Sequence, residues 1–183
     1  QRMLERGVRV TLNSDDPAYF GGYINQNYLE TAAALGLDRD QIVVLAVFLP
    51  VLAGQSGNTG CQALAVTLRG LALGEIDRLQ ARSMMKEAWV GILNGIFVGL
   101  VAGLGMYFFA RSQGSGSPVT LGFCVFAAMI VSCAASGVSG ATIPLILKKL
   151  GADPATASSI FLTTMTDVVS MGAFLGLATL LVR

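Results

Sequence analysis

The sequence predicts an all-α fold, a polytopic membrane helix bundle of four transmembrane helices that follows a short segment outside the membrane. Of its 183 residues, 54% are hydrophobic and only 13% are charged, whereas soluble domains carry roughly 25% charged residues. The mean hydropathy is +0.66, and 22 glycines lie among the apolar stretches, as is common in membrane helices. This composition argues against a water-soluble fold.

The charged residues leave four long windows that can cross a bilayer. A spanning helix needs about 20 residues nearly free of charge, and at about 1.5 Å per residue even the shortest window crosses the roughly 30 Å hydrocarbon layer. The windows are residues 41–68, 88–110, 112–147 and 154–182. Each predicts one transmembrane helix, and only the last is interrupted by a charge, that of Asp167.

Basic residues predict the orientation of these helices. Six lie in the connections after the first and third helices: Arg69, Arg78, Arg82, Lys86, Lys148 and Lys149. Only Arg111 and Arg183 lie near the helices on the opposite face. Because cytoplasmic loops carry an excess of Lys and Arg, we expect a multi-pass protein of the inner (plasma) membrane with the six residues in the cytoplasm. The first helix then starts outside, which predicts a further helix before it.

Composition also excludes some functions. The net charge of +1 gives no electrostatic reason to bind nucleic acid. Histidine is absent, which removes the commonest general base and the commonest zinc ligand and so excludes histidine-based catalysis. We do not expect an enzyme. Cys61, Cys124 and Cys133 lie in apolar runs without CxxC spacing, a pattern that predicts small buried side chains.

A polar run interrupts the first window. Residues 54–62 read GQSGNTGCQ, and freed backbone polar groups are tolerated in hydrocarbon only where protein buries them or where they line a wet cavity. Three glycines at three-residue spacing allow another helix to approach closely or carbonyl groups to face an ion. The alternative is a packing seam in which Asn58 and Gln62 form hydrogen bonds between helices.

The polar run has a weak counterpart in the third window. Residues 56–60 (SGNTG) align with residues 136–140 (SGVSG) at an offset of 80. By the predicted topology both helices run in the same direction. Either chance explains this short match, or the two helices have similar packing roles.

Asp167 is the strongest candidate for a functional side chain. It lies 14 residues into the last window, where a carboxylate costs about 2.5 to 3.5 kcal/mol to insert. A divalent cation would offset this cost, because hard ions prefer oxygen ligands, and nearby hydroxyls include Thr163, Thr164, Thr166 and Ser170. The alternatives are a neutral buried carboxyl, a carboxylate that reaches the membrane rim, and a proton relay.

Two stretches resemble one family. Residues 48–76 (FLPVLAGQSGNTGCQALAVTLRGLALGEI) resemble the second transmembrane helix and following loop of MgtE magnesium transporters, whose signature has G-G-N-x-G-x-Q after a proline; Ser56 replaces the first glycine. Residues 144–168 (PLILKKLGADPATASSIFLTTMTDV) resemble that family's last loop and final helix, with T-T-x-x-D. The resemblance covers residues 43–183, and the family's first transmembrane helix has no counterpart.

This resemblance implies a channel-like homodimer that transports Mg²⁺ across the lipid bilayer, with five helices per subunit and its pore at the dimer interface. It implies that Asp167 faces the pore and holds a hydrated magnesium ion, with Gly57 and Asn58 close by. Thr59 and Thr164 are carried over as further metal-site residues. A helix-packing membrane subunit without transport is the structural alternative.

The N-terminal segment, residues 1–42, resembles a different family. Residues 5–28 (ERGVRVTLNSDDPAYFGGYINQNY) are similar to the C-terminal part of the adenosine or adenine deaminase barrel, where Asp15 would bind zinc and Asp16 the purine. The histidine ligands of that site are missing because the chain has none. We therefore expect residues 1–42 to be an irregular, deaminase-like remnant; a remnant of a zinc-dependent purine deaminase is the enzyme-class alternative.

Overall fold

The computed structural model describes residues 39–75 and 81–181, and over these ranges all regular structure is helical. The four helices are α1 (Arg39–Ala72), α2 (Ala81–Ser112), α3 (Pro118–Lys149) and α4 (Pro154–Leu181). The predicted all-helical class is confirmed for this part of the chain. The expectations for residues 1–38, including those for Asp15 and Asp16, lie outside the described residues.

Three of the helices are long and apolar enough to cross a membrane. The candidate spans are Met84–Ser112, Pro118–Lys149 and Ser158–Leu181. Helix α1 is not among them, because the polar run 54–62 lowers the hydropathy of the part of α1 whose side chains are described. The chain is thus a multi-pass membrane protein with three candidate spans in its described residues, and a fourth span remains a prediction.

Helix α3 lies at the centre of the bundle. It packs against each of the other three helices, and α1 also packs against α4. The main apolar core joins residues from all four helices, among them Leu52, Met106, Met129 and Phe174, which are fully buried. Because α3 is surrounded, large side chains exposed to the outside belong mostly to the other helices.

A row of glycines brings α2 against α3. Gly91, Gly95, Gly99 and Gly103 recur every four residues and therefore share one face of α2. A Cβ atom on Gly95 would lie 2.7 Å from the Ile130 Cα, so the two backbones are in direct contact. Small residues at this spacing are a common basis for close packing of membrane helices. The sequence analysis did not identify this row.

Short connections turn the chain between consecutive helices. Gly114 and Gly151 follow α2 and α3 with φ of +72° and +79°, a conformation that favours glycine and commonly ends helices. Asp153 caps α4: its Oδ1 accepts a hydrogen bond from the Ala155 N–H (3.0 Å) and its Oδ2 accepts one from the Thr156 hydroxyl (2.5 Å). The hydrogen bond from Thr156, and then that from Ala155, lower the pKa of the Asp153 carboxyl.

The cysteines differ from the prediction in one case. Cys124 and Cys133 are buried in the core, as expected, but Cys61 is exposed. The prediction for Cys61 was wrong because an apolar neighbourhood in sequence does not tell which side of a helix meets its neighbours. Cys61 lies on the outward side of α1.

Candidate functional site

The two helices that carry the predicted site residues meet at one close contact. A Cβ atom on Gly60 of α1 would lie 3.0 Å from the Leu162 Cδ1 of α4. Alternating helix directions make α1 and α4 antiparallel, so residues before Gly60 lie level with residues after Leu162. At about 1.5 Å per residue, Asn58 and Asp167 lie about 3 Å and 7.5 Å to the same side of this contact.

Gly60 also joins α1 to α3, where the predicted repeat is found. A Cβ atom on Gly60 would lie 3.3 Å from the Ser136 carbonyl oxygen, and one on Gly140 would overlap the Gly60 carbonyl oxygen. The last glycines of the two repeats therefore contact each other directly. Gly54 and Gly57 have no such neighbour within 4 Å, so of the three glycines in the polar run only Gly60 packs inside the chain.

The outward side of α1 carries a regular stripe of mostly small residues. Its members are all exposed and alternate between spacings of four and three: Val47, Val51, Gly54, Asn58, Cys61 and Ala65. Residues at this spacing follow one line along a helix, which is the pattern that packs against a second helix. We call these six residues the α1 stripe. Its centre is a polar amide, Asn58, rather than an apolar side chain.

Asn58 does not act as a hydrogen-bonding link between helices of this chain. Its side chain is exposed, as is that of Gln62, and no hydrogen bond from either side chain to another described residue is found. The packing alternative predicted that these two residues form hydrogen bonds between helices. In the described part of the chain, a different pair of residues forms such a hydrogen bond.

That pair is Thr59 and Asn94. The Asn94 Nδ2 donates a hydrogen bond of 2.6 Å to the Thr59 Oγ1, and the same hydroxyl donates to the Gln55 carbonyl oxygen at 3.0 Å. Thr59 is only 4% exposed, so it faces the bundle while Asn58 faces away. Sequence reasoning missed Asn94, although an amide in the otherwise apolar window 88–110 was an available signal.

On α4, Asp167 and Thr164 lie on the outward part of the helix. Asp167 is half-buried, and its carboxylate has no hydrogen bond or ion pair to any residue in the described ranges. Thr164 is exposed; its hydroxyl donates to the Ile160 carbonyl oxygen at 3.0 Å and keeps its oxygen available as an acceptor. Both side chains are therefore open to groups outside this chain.

Other hydroxyls near Asp167 divide between the two sides of α4. Thr166 and Ser170 are 1% exposed and bond to backbone carbonyls of their own helix, those of Thr163 and Asp167. Thr163 is exposed and donates to the Ser159 carbonyl oxygen. Only Thr163 and Thr164 thus share the outward side with the carboxylate.

The candidate site residues of α1 and α4 suit a cation that keeps its bound water better than a dehydrated cation. Residues 39–75 and 81–181 contain no group of three His, Cys, Asp or Glu side chains that could hold a metal ion. One carboxylate, an amide and hydroxyl oxygens can instead bind the water shell of a cation such as Mg²⁺, which dehydrates reluctantly. The site is open on its outer side, so a single chain does not enclose it.

Comparison with known proteins shows that two neighbouring segments of the chain match two different families. The family model of the divalent cation transporters, MgtE, matches residues 49–177, and the adenosine deaminase family model matches residues 1–48. The boundary between them lies ten residues inside α1. The two resemblances read from the sequence are therefore both confirmed.

Individual relatives agree with this division. The magnesium transporter MgtE of Bacillus subtilis is 35% identical over 144 residues, which is 76% of this chain and 30% of that protein. The MgtE of Thermus thermophilus is 31% identical over 79% of this chain and 31% of its own length. The adenine deaminase of Caulobacter vibrioides is 65% identical over 46 residues, 25% of this chain and 13% of that enzyme.

The chain spans about a third of the length of the transporters it matches. The relatives that cover most of the chain are transporters, and the enzyme match is short and N-terminal. The site residues on α1 and α4 all lie within the transporter match.

Proposed function

Since this chain belongs to the MgtE family of divalent cation transporters, we propose that it conducts Mg²⁺ across the inner (plasma) membrane, through a channel-like pore between two copies. In this proposal all four helices span the membrane, and the sides of α1 and α4 that carry Asn58 and Asp167 line the pore. Gly57 and Thr164 lie beside them. The chain is a transporter and not an enzyme.

One observation carries the proposal. Polar side chains of α1 and α4 are accessible from outside the chain, and they lie at similar positions along the axis of an otherwise apolar bundle. Asn58 and Thr164 are exposed, and Asp167 is half-buried without a partner in the described residues. Against lipid each would be costly, most of all the carboxylate. A second copy that encloses water and cations between these faces removes that cost.

The proposed mechanism is passive and needs no covalent step. The membrane potential draws a dication inward with roughly 4.6 kcal/mol per 100 mV for two charges. Asp167 attracts the ion electrostatically, while the side-chain oxygens of Asn58 and Thr164 accept hydrogen bonds from its bound water. Thr59 has an indirect role, because it faces the interior of the bundle. The hydrogen bond that it accepts from Asn94 fixes the helical turn that contains Gly57 and Asn58.

Cation uptake into reconstituted vesicles tests this function. We expect Asp167→Ala to lower Mg²⁺ uptake at least tenfold, since a loss of about 1.4 kcal/mol already changes a rate tenfold. The matched control is Thr179→Ala, which removes a hydroxyl three turns further along α4 whose bond is local, to the Gly176 carbonyl oxygen. Unchanged uptake by Asp167→Ala would favour the packing subunit without transport.

A further inference from the structure

A long apolar groove lies on the outer surface between α2 and α3. Its volume is about 450 Å³, and its walls include Leu100, Leu104, Phe123 and Phe126. The groove is deep because the residues at its bottom, Gly103 and Gly122, have no side chains. A Cβ atom on either glycine would lie 2.8 Å from the carbonyl oxygen of the other. Two glycines thus bring the backbones together and leave a channel between large side chains.

The groove and the arginine that follows it together extend over about one membrane leaflet. Leu100 lines its inner end, Tyr107 lines its outer end, and Arg111 follows one turn later. The lining residues of α2, from Leu100 to Tyr107, rise about 10 Å along the helix, and Arg111 lies about 16 Å from Leu100. Leu100 is near the middle of the candidate span Met84–Ser112, and half of the roughly 30 Å hydrocarbon layer is about 15 Å, so Arg111 lies at the height of the lipid headgroups.

A single positive charge stands at the outer end of the groove. Arg111 is the only charged residue between Glu87 and Lys148. Its Nη1 donates a hydrogen bond of 2.9 Å to the Tyr107 hydroxyl oxygen, and Tyr107 itself lines the groove. No ion pair with Arg111 is found in the described part of the chain, so its charge is available to an anion at the interface.

We propose that this groove is a binding site for an anionic phospholipid, whose acyl chain lies in the groove while its phosphate group contacts Arg111. The apolar walls match a hydrocarbon chain, and the guanidinium at the open end complements the headgroup charge. A protein helix fits less well, since the small residues that allow close helix packing here already face each other as the floor. The site needs α2 and α3 to span the membrane but does not depend on the proposed transport.

Native mass spectrometry of the full chain tests the headgroup contact. The protein is purified with an equimolar mixture of phosphatidylglycerol and phosphatidylcholine of identical acyl chains. We expect the wild type to retain phosphatidylglycerol preferentially and Arg111→Gln to lower that preference about fivefold. Arg69→Gln is the matched control, because Arg69 is also an exposed arginine in the last turn of its helix, and should leave the preference unchanged.

A second pair of variants tests the acyl chain. Phe123→Ala removes part of the groove wall, whereas Phe97→Ala removes another exposed ring, on α2 and outside the groove. We expect Phe123→Ala to lower the amount of either lipid retained and Phe97→Ala to have no effect. Glycerol phosphate, which has the headgroup anion without the chain, should not displace the bound lipid at equal concentration.

Three results would overturn the proposal. The first is equal retention of both lipids by the wild type, and the second is displacement by glycerol phosphate alone. The third is a disulfide-linked dimer of Val119→Cys in a Cys61→Ala background, because Val119 lines the groove and such a dimer would mean that a second copy covers it.

Discussion

At the scale of single residues, the adjacent positions Asn58 and Thr59 have opposite surroundings. Consecutive residues on a helix differ by 100° in direction, so the buried Thr59 faces Asn94 and the exposed Asn58 faces outward. The residue types in the polar run indicated that this segment is not an ordinary lipid-facing helix. The division between the two sides could not be predicted, because it depends on which helix packs against which side.

The Thr59–Asn94 hydrogen bond should contribute measurably to stability. Interhelical hydrogen bonds in membranes contribute about 0.6 kcal/mol on average and up to about 1.7 kcal/mol. We predict a coupling energy in this range from a double-mutant cycle of Thr59→Ala and Asn94→Ala, measured by unfolding in detergent. Fully additive effects of the two substitutions on the free energy of unfolding would show that the pair does not interact.

The charge of Asp153 predicts a pH dependence. Its pKa is lowered from 3.8 by the hydrogen bonds at the start of α4, so its contribution is present above the unfolded pKa and is lost as pH falls through the folded pKa. We predict that thermal stability of the wild type declines below about pH 4 relative to Asp153→Asn, whose amide oxygen can still cap but cannot titrate. Parallel pH profiles of the two proteins would contradict this.

At the scale of helices, the uncharged windows predicted where the helices lie in the sequence, but they did not predict which helices contact each other. Windows 88–110 and 154–182 correspond to α2 (Ala81–Ser112) and α4 (Pro154–Leu181), because a charge-free stretch of this length has few other stable conformations in a membrane. Helix α2 extends past Lys86 at its start and Arg111 at its end, since Lys and Arg are tolerated in end turns. The glycine row of α2 was not predicted, because its role in packing depends on the position of α3, which the sequence does not give.

Enlarging one glycine of that row should separate α2 from α3. In Gly95→Ala the new methyl group would meet the backbone of Ile130 at 2.7 Å, and overpacking of this kind costs about 1 to 3 kcal/mol. The matched control is Gly176→Ala on α4, where nothing lies within 4 Å of the new methyl group and the free energy of unfolding should not fall, since alanine favours a helix over glycine by up to about 1 kcal/mol. Equal effects of both substitutions would show that the row is not a close contact.

At the scale of the whole molecule, we propose that a second copy completes the bundle on the side formed by α1 and α4. The α1 stripe is exposed and Asp167 is half-buried, and several of the largest side chains of the chain, such as Trp89 and Phe97, are also exposed. The sequence analysis located the acidic and amide groups because they are rare in membrane helices. Their neighbouring heights on α1 and α4 follow from the contact between Gly60 and Leu162, which the sequence alone does not reveal.

The central claim is that water and cations, rather than lipid, cover this outward side. Its most direct test is the rate at which a charged, water-soluble thiol reagent modifies Thr164→Cys in membrane vesicles, in a Cys61→Ala background. Phe97→Cys is the control, because Phe97 is exposed on an apolar part of α2.

We predict that the reagent modifies Thr164→Cys and that millimolar Mg²⁺ slows the reaction, while Phe97→Cys stays unmodified. A cysteine at position 164 that is as unreactive as the one at position 97, with or without Mg²⁺, would place this side of α4 in lipid and contradict the pore.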